Sequence, residues 1–137
     1  MAFVLDSSVA LAWLLPDEDA EALDALADRL EQEPAHVPAI WPLEVGNALL
    51  MAQRRARIKE DELIRSVSAL LALPIDVDSA GSTALAAVLS IARDLGLSAY
   101  DAAYVELAKR LAIACDARRK AAAGMRQNGS RSPSLRW

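Results

Sequence analysis

Two periods of apolar residues alternate along this chain of 137 residues. Ala2-Phe3-Val4-Leu5 is an unbroken apolar run closed by Asp6, the pattern of a short buried strand. Ser7-Ser8 can cap a short helix over Val9 to Leu15, which Pro16 stops. Asp17-Glu18-Asp19 then opens a second helix to about Glu31, with acids in the first turn where the helix dipole favours them. Pro34 and Pro38 bracket a brief strand around Val37. Pro42 suits the first turn of a helix ending near Arg55, and Lys59 to Leu73 is another. Pro74 ends that helix, and Ile75-Asp76-Val77 reads as a third strand. Helices follow at about 79–95 and 99–110, separated by Gly96. Leu111 to Cys115 is a fourth strand, and Ala117 to Ala123 a last short helix stopped by Gly124. Short strands, apolar on both faces and alternating with helices, predict an α/β fold: helices packed on a central, mostly parallel sheet.

Composition narrows the picture. Hydrophobic residues make up 54% of the chain and aromatics only 4%, so the bulk is Ala and Leu and favours helix over an all-β fold. Mean hydropathy is +0.18, which argues against disorder outside the C-terminus. No apolar run nears the ~20 residues of a membrane helix, and no basic stretch precedes the first apolar run as in a signal peptide. A single Cys makes no internal disulfide and fits a cytoplasmic location. The length suits one domain.

Charge is unevenly distributed. The net value of −4 argues against a protein that grips nucleic acid by bulk electrostatics. Yet residues 117–137 carry Arg118, Arg119, Lys120, Arg126, Arg131 and Arg136 with no acid, leaving nine basic and nineteen acidic residues before them. The boundary expected is a domain over 1–124 and a basic tail over 125–137, either a solvated end or a contact to RNA or a partner.

In parallel α/β sheets ligands bind beyond the carboxyl ends of the strands, so acids just after strands are the first candidates for chemistry. Asp6 ends the first strand; a turn or cap role competes with a functional one. Glu44 lies in Trp41-Pro42-Leu43-Glu44-Val45-Gly46-Asn47, near a helix start where an acid also compensates the dipole. Asn47 shares its face, while Val45, Leu49 and Ala52 follow a core-facing spacing. Asp101 stands three residues after Ser98, the spacing of a capped helix start, and such a cap would also aim the acid. Asp116 follows the apolar run ending at Cys115, and capping the short helix behind it is the competing role. Carboxylates gathered in one crevice repel one another unless a cation sits among them, and a hard divalent ion with oxygen ligands suits them.

Phe3-Val4-Leu5-Asp6-Ser7-Ser8-Val9-Ala10-Leu11-Ala12-Trp13 resembles the opening of VapC-like PIN domains, the toxin ribonucleases of toxin–antitoxin pairs. Glu44 with Asn47 resembles their second motif, and Leu97-Ser98-Ala99-Tyr100-Asp101-Ala102-Ala103-Tyr104 their third. Order and separation agree from residue 2 to about 124. The resemblance implies a PIN-like α/β/α sandwich and Mg²⁺- or Mn²⁺-dependent hydrolysis of RNA. Asp6, Glu44, Asp101 and Asp116 would then be the catalytic and metal-binding acids. It also implies a homodimer and inhibition by a cognate antitoxin protein. Two departures stand out. Ala114-Cys115-Asp116 lacks the Thr of the family's Ala-Thr-x-Asp run and is one residue shorter, which in a strand reverses side-chain direction. After Gly124 the family's closing apolar strand is replaced by a loop-like run from Met125 to Ser134.

Other residues are assigned plainer roles. His36 beside a strand reads as structural, Cys115 as a small buried hydrophobe, and Trp13 and Trp41 as core or dimer-interface residues. Arg54, Arg55 and Arg57 end a helix where cations are favoured, with RNA-phosphate contact the alternative. An Asp-nucleophile phosphatase would need an acid at position 8, which is Ser8. A receiver domain would need a late strand ending in Lys. The remaining rival is a catalytically weak PIN domain that binds RNA or protein.

Overall fold

The computed structural model describes the backbone of residues 2–15, 20–112 and 114–116, and the side chains among them except those at 20–23 and 114–116. Four three-residue strands, β1 (Phe3–Leu5), β2 (Ala35–Val37), β3 (Ile75–Val77) and β4 (Ala114–Asp116), form one sheet in the order β3-β2-β1-β4. All three pairings are parallel. The helices between them are α1 (Ser7–Leu14), α2 (Ala20–Gln32), α3 (Trp41–Arg54), α4 (Glu60–Leu71), α5 (Leu85–Leu95) and α6 (Ala99–Leu111).

β1 is the centre of the molecule. Successive strand residues point to opposite faces, and Phe3, Val4 and Leu5 are all fully buried, so helices cover both faces of the sheet. This is the α/β/α sandwich expected from the alternation of strands and helices. The core joins β1 and β2 to Ala10 of α1, Leu26 and Leu30 of α2, Val45 and Leu49 of α3, and Tyr104 and Leu107 of α6. Arg29 of α2 lies 3.8 Å over the Phe3 ring, a cation–π contact. A smaller cluster of Val88, Ala92 and Ala102 joins α5 to α6. β3, at the sheet edge, departs from the expectation of strands apolar on both faces: Ile75 is half-buried, while Asp76 and Val77 are exposed. Its register sets Asp76 opposite His36, whose Nδ1 lies 3.2 Å from the Asp76 carboxylate, in keeping with the structural role assigned to that histidine.

Helix ends explain where the periodicity was misread. α1 starts at Ser7, because Asp6 and not Ser7-Ser8 is its cap: the Asp6 carboxylate accepts from the Ser8 N–H at 3.3 Å and from the Ser8 hydroxyl. α6 runs on to Leu111, so β4 begins later than the apolar run suggests. Residues 79–95 are a 3₁₀ turn over Gly81–Ala84 followed by α5, in place of one helix. The helix expected over 117–123, the start of the one expected at Asp17, and the tail all lie outside the described residues.

Two helices end in the same hydrogen-bonded motif with different residues. After α5, Gly96 takes φ 65° and the Leu97 N–H reaches the Ala92 carbonyl at 2.9 Å. After α3, the Arg57 N–H reaches Ala52 and the Ala56 N–H reaches Gln53, both at 2.9 Å, with Ala56 at φ 57°. Alanine in that left-handed conformation carries a steric cost that glycine avoids. α4, which follows, has no buried residue: Leu63 and Leu70 pack partly on the core, while Ile64, Val67 and Leu71 face outward.

One ion-pair group ties the sheet edge to α6. Arg110 makes two bonds to Asp78, at 3.2 and 2.7 Å, and two to Glu106, at 2.8 and 3.3 Å. The Arg110 guanidinium holds the Asp78 carboxyl below its ordinary range, working against the desolvation that raises it.

Two predictions follow from these ends and pairs. Ala56→Gly should raise stability by about 0.5–1 kcal/mol, since relief of the left-handed strain exceeds the added freedom of the unfolded chain; a urea midpoint that falls would refute the strain. Asp78→Asn should cost about 0.5–1 kcal/mol at neutral pH. A depressed folded pKa contributes stability only above the unfolded pKa, so the difference between wild type and variant should fade as pH drops below about 4. Urea titrations across pH read this directly.

Candidate acidic site

The sheet order creates a switch point. From β1 the chain winds outward through β2 to β3, then returns to place β4 on the other side of β1. In parallel sheets such a reversal opens a crevice at the carboxyl ends of the two strands flanking it. Asp6 follows β1 there. Asp116 ends β4, paired in register with Leu5, one position before Asp6. The side chain of Asp116, like that of Cys115, lies outside the described residues.

Helix starts bring the other acids. β2 leads through the turn at Ala39-Ile40 into α3, where Pro42 occupies the first turn and Glu44 follows in the same turn. Ile40, at the cap, offers no side-chain acceptor, so an acid in this turn offsets the exposed N–H groups. At α6 the cap is present: the Asp101 N–H donates to the Ser98 hydroxyl at 3.0 Å. The cap role expected for that segment is present, and it fixes the turn that bears Asp101.

Glu44, Asn47, Ser98 and Asp101 line one open pocket of about 460 Å³, with Ile40, Leu43 and Tyr100 as its apolar wall. The pocket thus joins two of the anticipated acids and the anticipated amide. Asp6 does not line it. Asp6 is fully buried, as is Tyr104. The Tyr104 hydroxyl donates to Glu44 at 2.5 Å, and is also hydrogen-bonded to Ser7, the residue after Asp6. Burial, above all, and the bond to Glu44 push the phenol far above its ordinary range; Ser7 opposes them, and the Asp6 charge adds to the rise. Tyr104 therefore stays protonated and acts as a fixed donor to Glu44.

Tyr104 and Ser8 were not singled out as site residues from sequence. A signal existed for Tyr104, which lies three residues after Asp101 and so shares its helix face. Its bond to Glu44, on another helix, is a tertiary fact.

The side chains available are oxygen donors, carboxylate and amide, with no His or Cys in the pocket. Among the described residues, no three of His, Cys, Asp and Glu form a metal-binding group. Glu44 and Asp101 with Asn47 fit a hydrated Mg²⁺ or Mn²⁺, which takes one or two carboxylates and keeps several waters.

Against known families, the sequence matches the PIN domain over residues 3–123. The chain belongs to the PIN domain family. Solved structures with the same fold include VapBC2 from Rickettsia felis bound to a DNA fragment from their promoter, with a TM-score of 0.62, 11% identity, and 84% of this chain and 85% of that one covered. PAE2754 from Pyrobaculum aerophilum also has a TM-score of 0.62, at 22% identity, with 90% of this chain and 79% of that one covered. No curated protein sequence matches the chain. For a PIN domain, nuclease chemistry is the general expectation, and the pocket brings together two of the four expected acids, Glu44 and Asp101.

Tyr104→Phe should leave the fold intact but cost about 1.5–3 kcal/mol by removing the donor to a charged, part-buried carboxylate. Urea denaturation with near-ultraviolet circular dichroism checks this, and unchanged stability would show that the bond carries no weight.

Proposed function

We propose that this PIN domain is a metal-dependent endoribonuclease, the toxin of a toxin–antitoxin pair. One observation carries the reading. Glu44 and Asp101, from helices far apart in sequence, line a single open pocket at the carboxyl edge of the sheet, and the charge of Asp6 acts on Tyr104, the donor to Glu44. The motif resemblance points to the same acids, and the family match spans the segments that carry them.

In this reading Glu44 and Asp101 hold Mg²⁺ or Mn²⁺, and Asp6 and Asp116 complete the negative field around it. A bound divalent ion supplies charge neutralisation of a phosphodiester and a more acidic water. The chain's own part is orientation. Tyr104 fixes the Glu44 carboxylate, Ser98 fixes the turn bearing Asp101, and the Ser8 N–H and hydroxyl fix Asp6. Asn47 supplies an amide able to bond a ribose or phosphate oxygen at the pocket wall.

The proposed partners are RNA as substrate, a cognate antitoxin protein and a second copy of the chain. The complex with the R. felis name VapBC2 supports the pairing by fold likeness alone. Exposed Leu43, Leu85, Leu89 and Tyr100 supply apolar surface of the kind a homodimer covers. A cytoplasmic location is proposed as well; no helix among the described residues is long and apolar enough to cross a membrane.

A binding module without catalysis is the second reading, favoured by the complete burial of Asp6. Calorimetric titration of Mn²⁺, with RNA cleavage assayed on the same samples, separates the two. The wild type is expected to bind Mn²⁺ and cut RNA only with it. Asp6→Asn/Asp101→Asn should lose cleavage by about a hundredfold or more. Equal cleavage in EDTA would defeat the metal mechanism, and metal binding without cleavage would favour the module.

A further inference from the structure

α1 and α3 both begin at the acidic edge of the sheet, and a second pocket lies between them. It is lined by Ser8, Leu11 and Leu15 of the α1 segment, by Met51 and Ala52 of α3, and by Arg55 and Arg57 beyond it. We infer that this groove is a binding subsite for the substrate RNA strand, with a base on its apolar floor and a backbone phosphate held by Arg55 and Arg57.

Charge singles out the place. Through residue 116 the chain has nine basic and nineteen acidic residues, so two arginines at the mouth of one pocket stand against the prevailing sign. Both are exposed and close in sequence, on either side of Ala56 with its φ of 57°. A non-glycine residue held in that conformation marks a turn that the surrounding structure over-determines. The turn carries the two guanidinium groups on the closing bonds of the helix end, from Arg57 to Ala52 and from Arg55 to Met51. Arginine is the side chain suited to phosphate, through its planar fork of donors.

Size and continuity agree. The groove offers about 440 Å³, within the range of small-ligand clefts, and its Leu, Met and Ala floor suits the face of a base. Ser8 joins the groove to Asp6, since its hydroxyl and N–H bond that carboxylate while it lines the groove. Glu44 and Arg55 are ends of one helix, roughly 16 Å apart at 1.5 Å per residue. An extended strand cut at the acidic pocket would therefore lay a phosphate a few nucleotides away between the arginines. This explains how an acidic protein retains a polyanion: the acids serve the ion, and the grip on the strand lies further along α3.

The inference rests on the ribonuclease reading for its substrate, and its test separates the two. Arg55→Gln/Arg57→Gln is compared with Arg93→Gln/Lys109→Gln, which removes the same charge from exposed positions on α5 and α6. Binding of fluorescent oligouridylate is measured in EDTA against salt, and KM and kcat with Mn²⁺. For the groove variant, binding should weaken about tenfold at low salt, and the log–log salt slope should fall by about 0.7, one single-strand phosphate contact. KM should rise with kcat unchanged, and a dinucleotide too short to reach the groove should be cut equally well by both variants. If the two variants bind and cleave alike while the wild type cuts RNA with Mn²⁺, the groove is refuted and the nuclease stands. If the wild type does not cut but the groove variant alone loses RNA binding, the groove stands and the nuclease falls. A wild type that neither binds nor cuts RNA overturns both.

Discussion

Everything in this molecule is hung on three residues that touch no water. Phe3, Val4 and Leu5 are buried on both faces and hydrogen-bonded on both edges, so β1 has no freedom to shift. The first residue beyond it inherits that fixity. Asp6 emerges at a defined point, and the helix it caps begins there. α3 and α6 pack on the same strand through Val45, Leu49, Tyr104 and Leu107, which sets the positions of Glu44 and Asp101. The acidic pocket is a by-product of packing around one strand, with its polar groups at the ends of the elements and its apolar groups between them.

Asp6 is under two demands at once. As a cap it accepts from the Ser8 N–H of α1, and in the proposed metal site it would contribute charge near Tyr104. A carboxylate is not required for capping, because an amide oxygen serves as well. The charge matters only to the proposed site. Fold and chemistry thus place separable requirements on one side chain, which is why an asparagine there tests the second without disturbing the first.

Much of this was legible in the chain. Breakers and short apolar stretches located all four strands, most clearly β1, whose burial on both faces leaves an uninterrupted signature. The face of Val45, Leu49 and Ala52 was legible from helical spacing, and each is buried. Asp6, Glu44 and Asp101 stood out by position after strands and in first turns, and Glu44 and Asp101 do share a pocket. The start of α1 and the end of α6 were misplaced because a cap is chosen by local geometry among several competent neighbours, here Asp6, Ser7 and Ser8. The exposed edge at β3 was hidden for a different reason: sheet order is a property of the assembled fold, and nothing in Ile75-Asp76-Val77 announces an edge. The link from Tyr104 to Glu44 joins two helices and no local pattern carries it.

α4 shows the opposite condition to β1. With no buried residue and only Leu63 and Leu70 partly packed, it is held to the rest chiefly through α3 and contributes no residue to the acidic pocket. Such an element sits at the weakly held end of a protein's stability spectrum and can open while the remainder stays folded. In evolutionary terms it is the cheapest part of the chain to rewrite. Its outward side chains can drift to suit whatever the helix meets, generation after generation, while the strand and the acids behind it remain as they are.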